Sequence, residues 1–135
     1  MVIKPYVKDI DKDTLDNEDY RRVVFTGEHF QLVLMSILPG EDIGGEVHPS
    51  TDQFFRIEGG RGKAIIDGNE YEITEDYAIT IPAGSEHNII NTGDEPLKLY
   101  SLYAPAEHEP GLVQPKKVTE KRSLPNFKNF VSQIK

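Results

Sequence analysis

Turn-forming residues divide the middle of this chain into short strand-like segments, and that punctuation limits what it can fold into. Pro39-Gly40 closes the apolar run FQLVLMSIL at 30–38, Asp67-Gly68-Asn69 lies between 63–66 and 70–74, and Pro82-Ala83-Gly84 lies between 77–81 and 87–91, while Thr92-Gly93-Asp94 precedes 97–103. Gly and Asn tolerate positive φ, so 67–69 reads as the turn of a hairpin. Many short antiparallel strands at this spacing imply an all-β sandwich or jelly-roll barrel. Nine prolines and eleven glycines scattered over 135 residues suit that architecture, and 37% apolar content supplies one core rather than two. The run 30–38 is apolar on both faces in its middle, as expected of a strand buried between the barrel core and another sheet or subunit. That strand predicts self-association, most simply as a homodimer.

The flanks read differently. Residues 1–22 crowd Asp9, Asp11, Asp13, Asp16, Glu18 and Asp19 into a weakly patterned N-terminal arm with one edge strand, the barrel occupies 23–108, and 109–135 form a tail. In that tail Phe127, Phe130, Val131 and Ile134 recur at helical spacing, which predicts a short amphipathic helix within 125–134. From 111 onward, six basic residues stand against Glu120 alone, so the preceding acidic body more than accounts for the net charge of -8. Such a body repels phosphate backbones and argues against nucleic-acid binding; the basic tail docks more naturally on the acidic barrel surface. No apolar run is long enough to span a bilayer, and Met1 to Lys12 lacks the apolar stretch of a signal peptide, which points to a cytoplasmic protein. Without cysteine, disulfides and thiolate ligands are excluded, and any metal must be held by N and O donors.

Such donors are present at suggestive positions. Side chains alternate along a strand, so Glu46 and His48 project to the same side, and a second strand carrying His87 would close the site from the opposite wall. Together they form a two-His-one-carboxylate set, a pattern associated with non-haem iron and open coordination positions. Each residue also has a plainer use. For His87 that use is a core histidine bonded to backbone, with the same alternative for His48, and for Glu46, after Gly44-Gly45, a solvated loop carboxylate; the motif spacing favours ligation in each. His29 and His108 read as surface residues. Tyr100 and Tyr103 either line the pocket mouth or pack in the core. Gly59-Gly60-Arg61-Gly62 is a turn rather than a phosphate loop, since no helix follows it, and Gly84-Ser85-Glu86 lacks the setting of a nucleophile elbow.

Pro82, Gly84, His87 and Asn91 have the spacing of the second cupin motif, Gly-x5-Pro-x-Gly-x2-His-x3-Asn, with Asp76 in place of its leading Gly. The first cupin motif is matched more loosely: Glu46 stands at the first His, His48 at the second, Gln53 at the Glu, and Gly60 follows. Over about 30–105 the chain therefore resembles the cupin superfamily, and 23–108 resembles the small single-domain members often described as mannose-6-phosphate isomerase-like, through Thr51-Asp52-Gln53-Phe54-Phe55-Arg56 and Leu97-Lys98-Leu99-Tyr100. The resemblance implies a jelly-roll barrel with one divalent metal on Glu46, His48, Gln53 and His87. Asp52 and Gln53 both fit the third position. Gln53 shares a face with Phe55 and Ile57 and so points inward; it either ligates or hydrogen-bonds across the barrel mouth. Mn, Fe, Ni and Zn are not distinguished. Cupin function spans dioxygenases, isomerases and non-catalytic binders, so two readings stand. One is a metal-dependent isomerase or dioxygenase acting on a small sugar-like or organic-acid molecule, with Glu46 as a base; the other is a small-ligand binding or sensor protein with a structural metal.

Overall fold

The computed structural model describes residues 3–118, so the helix expected within 125–134 lies outside the described residues. The elements in chain order are α1 (Ile10–Asp16), β1 (Arg21–Thr26), β2 (Gln31–Ile37), β3 (Glu46–Val47), β4 (Asp52–Gly59), β5 (Arg61–Ile66), β6 (Asn69–Thr74), β7 (Ala78–Ile81), β8 (Glu86–Asn91), β9 (Leu97–Ala104) and β10 (Val113–Gln114). They form two antiparallel sheets, a six-stranded one ordered β10-β1-β2-β9-β4-β7 and a four-stranded one ordered β3-β8-β5-β6. From β4 the chain crosses to the second sheet for β5 and β6, returns for β7, crosses again for β8 and returns for β9, which is the jelly-roll the sequence predicts. The 67–69 turn does join a hairpin, with positive φ at Asp67 and Gly68, and β5 pairs β6 across it. Pro82-Ala83-Gly84 instead carries the chain from β7 in one sheet to β8 in the other.

One core lies between the sheets. Phe55, Ile57, Ile89, Leu97 and Leu99 are fully buried there, each stabilising the fold by about 1.5–3 kcal/mol relative to exposure. All seven residues of β2 are buried, Val33, Met35 and Ile37 in this core and Leu32, Leu34 and Ser36 on the other face. Both faces are therefore covered within one chain, and burying this strand needs no second subunit.

The acidic stretch near the N-terminus contains a helix where an edge strand was expected. Asp9 caps it by accepting from the Lys12 amide, Asp11 and Asp13 sit in the first turn where the helix dipole favours negative charge, and Lys12 pairs with Asp16. Only two turns long, it has little apolar periodicity for a sequence reading to detect. It lies against β4 and β9, with Leu15 close over Gly59 and the Lys98 amine donating to the Asn17 carbonyl.

Candidate metal centre

The centre is built where β3 meets β8. Glu46 pairs directly with His87 across the two strands, so His87 comes from the adjacent strand of the same sheet and not from the opposite wall. His48, just past β3, is fixed by its own carbonyl, which accepts from the Gly84 amide at 2.9 Å. The Pro82–Gly84 turn thus locks the exit of one ligand-bearing strand onto the entry of the other, and Gly84, with φ at +90°, supplies the left-handed conformation that this tight turn requires.

The donors converge. One oxygen of Glu46 lies 3.1 Å from His48 Nε2 and 3.8 Å from His87 Nε2, and one ligand atom from each of the three residues lies within 4.8 Å of the others. Donors bound at about 2.1 Å to one metal stand roughly 3.0–3.5 Å apart, so the set needs only a small contraction to ligate. His87 Nδ1 faces the Ser85 carbonyl at 3.1 Å, and donation there leaves the Nε2 lone pair free. That buried Nε2 has no hydrogen-bond partner, and neither has the buried Oε1 of Gln53, whose amide nitrogen donates to Ser101 Oγ at 3.0 Å. Orphaned lone pairs of this kind are costly unless a cation or donor meets them, so the residues fit a divalent ion.

Charge is arranged to suit. Burial pushes the Glu46 carboxyl up, but the hydrogen bond and charge of His48, with Arg21 and His87, outweigh it and hold it below the usual value. Burial lowers His48, yet its bond to Glu46 and the charges of Glu46 and Glu107 win and raise it. His87 falls below the ordinary imidazole value because burial dominates over the Ser85 carbonyl and Glu46. The set therefore offers an ionised carboxylate and a neutral imidazole at neutral pH.

Gln53 points inward as its register requires, buried beside Tyr103, while Asp52 is exposed and accepts from the Ala83 amide. Tyr103 is buried against the site, 5.8 Å from the His48 ring, whereas Tyr100, three residues earlier, faces outward beside Phe54. His29 is exposed as expected. His108 is not a surface residue: its ring stands edge-on to Tyr103 at 5.0 Å, its Nε2 is buried and unpartnered, and burial together with Arg21 lowers it to about 4. The sequence reading also missed Arg21, whose guanidinium acts on Glu46, and Glu107, 3.5 Å from His48 Nδ1. A usable signal was Gln31, an amide opening an otherwise apolar strand, since a buried amide must find partners.

The family model described as a cupin domain matches residues 33–103, more than half of the chain. The protein is a cupin. It is 48% identical over 116 residues to the uncharacterised Bacillus subtilis protein YrkC, covering 82% of this chain but 62% of YrkC, so this cupin spans less than two thirds of that relative's length. An uncharacterised protein of Acanthamoeba polyphaga mimivirus is also 48% identical over 110 residues, covering 78% of this chain and 69% of its own. A crystal structure of a Bacillus halodurans protein superposes with a TM-score of 0.81 at 48% identity, covering 83% of this cupin and 89% of that chain.

Proposed function

We propose that this cupin is a divalent-metal enzyme acting on a small oxygenated molecule, sugar-like or an organic acid, with the metal on Glu46, His48, His87 and Gln53. One observation carries the reading: four of the seven unpartnered buried side-chain atoms among the described residues belong to Arg21, Gln53, His87 and His108, which surround Glu46 and Tyr103. His87 Nε2 and Gln53 Oε1 supply lone pairs, and Arg21 Nε and His108 Nε2 extend the set around Glu46 and Tyr103. An apolar ligand would leave all of them unsatisfied, whereas a metal with an oxygen-rich ligand satisfies them. A bound metal would supply Lewis acidity that polarises a carbonyl or enediolate oxygen. Within the chain, Glu46 is ionised and placed to take a proton, Arg21 balances an anionic ligand, and the buried Tyr103 ring walls off water.

Elemental analysis of the protein purified without chelator tests the metal, with about one equivalent expected. His87→Ala should abolish it, because one of two nitrogen donors is lost. Glu46→Ala should cost more than Gln53→Ala, since it deletes the negative charge while a neutral amide oxygen is replaceable by water. Equal metal content in wild type and His87→Ala would remove the reading. Aerobic and anaerobic screening of sugars and organic acids tests turnover; binding without turnover would leave a ligand-binding module.

A further inference from the structure

Glu107 and His108 lie past the end of β9, and one side chain from the adjacent start of β2, paired with Tyr103, holds them. Gln31, fully buried, accepts through its amide oxygen from the Glu107 and His108 amides at 3.2 and 3.0 Å, and donates to the His108 carbonyl at 2.8 Å and the Thr26 hydroxyl at 2.9 Å. Both lone pairs and both N–H groups of that amide are thereby used. The segment is pinned so that the Glu107 carboxylate accepts from the buried Thr51 hydroxyl at 2.6 Å with one oxygen and faces His48 Nδ1 at 3.5 Å with the other.

We propose that Glu107 is a positioning residue for the metal centre: its carboxylate accepts from His48 Nδ1–H when Nε2, the nitrogen beside Glu46, holds the cation, and so orients the ring. A carboxylate can only accept, and a neutral imidazole carries one N–H; without an ion Glu46, at 3.1 Å, is the nearer acceptor for it, and an ion on Nε2 displaces that bond and leaves the hydrogen on Nδ1, in front of Glu107. The 3.5 Å separation is long while His48 also meets Glu46. Once Nε2 gives its lone pair to a metal, Nδ1–H is the ring's sole donor and Glu107 is the acceptor in front of it. His87 gains the same tautomer from the Ser85 carbonyl, so the two ligands are set alike by different means. This inference rests on the metal reading of Glu46, His48 and His87.

Spectroscopic titration with Co(II), with Zn(II) competition, separates a positioning role from a merely structural one. Glu107→Ala should weaken metal binding by about 10- to 100-fold, the usual range for a lost partner of a ligating histidine. Glu107→Gln, which keeps an acceptor oxygen, should recover most of that loss. Thr51→Val cuts the other anchor of Glu107 but leaves its charge, and should change affinity much less than Glu107→Ala. Long-range proton–nitrogen NMR of the Zn(II)-loaded protein should find a hydrogen-bonded Nδ1–H on His48 in wild type, and that signal should move upfield and exchange faster with water in Glu107→Ala. Affinity within twofold of wild type and an unchanged His48 Nδ1–H signal in Glu107→Ala would overturn the assignment while leaving the metal centre intact. A wild type that takes up neither ion would overturn the metal reading itself, and Glu107's role with it.

Discussion

Replacing Gln31 with Met keeps the length of the side chain and removes every hydrogen bond it makes. Four are lost, to the Glu107 amide, the His108 amide, the His108 carbonyl and the Thr26 hydroxyl. The Thr26 hydroxyl can rotate toward water, and the two amides share a single oxygen, so the equivalent of about three full bonds disappears at roughly 1 kcal/mol each. The thioether returns somewhat less than 1 kcal/mol in apolar burial at a fully enclosed position. Gln31→Met should therefore cost about 2–3 kcal/mol in equilibrium urea unfolding. Exchange of the Glu107 and His108 amides should accelerate by more than the global loss explains, because the pinned segment detaches first. A cost below about 1 kcal/mol with both amides still protected would refute the reasoning and shift the anchoring to the Thr51–Glu107 bond.

Asp76 occupies the glycine position of the second cupin motif yet holds φ at +73°; Asp76→Gly should relieve that strain and raise stability by about 0.5–1 kcal/mol, less whatever its exposed pair with Arg56 contributes. A thermal melt that moves downward would show that the Arg56 pair matters more than the backbone. A Cβ at Gly62 would lie 2.3 Å from the Ile90 carbonyl oxygen, so Gly62→Ala must force β5 from β8 and should cost about 3 kcal/mol in urea unfolding; a loss under about 1 kcal/mol would mean the ladder yields easily. Burial pushes Asp42 up, but hydrogen bonds from Asn88 and Lys117 prevail and depress it. Its contribution is therefore fully present above the unfolded carboxylate value of about 3.9 and lost as pH falls through the lower folded value. Asp42→Asn should flatten the acid limb of stability against pH, and an unchanged limb would dismiss the pair as a source.

Local rules made the barrel legible. Turn chemistry at Asp67-Gly68 and the apolar faces of β4 and β9 each dictate one conformation, and together they leave few alternatives to two packed sheets. The register of β4 was equally readable, because its inward face must be the one bearing Phe55 and Ile57, which also turns Gln53 inward. The pairing of strands was not: nothing local to Glu46 or His87 says that they sit opposite each other in one sheet, since that depends on where β7 hands over to β8. His108 looked peripheral because it follows the last long strand, and the buried amide that draws it in stands far away in sequence at Gln31. The helix at Ile10–Asp16 was hidden for another reason: at that length capping and charge define it, and periodicity has no room to appear.

β3 consists of two residues at the edge of its sheet, reached through Gly44 and Gly45 and joined to β8 at two register positions, Glu46 to His87 and Val47 to Glu86. Two of the three clustered donors, Glu46 on that scrap of strand and His48 just past it, depend on it, while His87 sits on β8, which is also paired with β5. Beyond those positions the Ile43 amide donates to the Ile89 carbonyl before β3 and the Gly84 amide to the His48 carbonyl after it, so peeling away the stretch between them would part the donors and leave Phe55 and Ile89 packed. An ion held there would enter and leave through movement of that short edge and not through unfolding of the core, and a mutation that stiffens Gly44-Gly45 should slow it in both directions before it tightens binding.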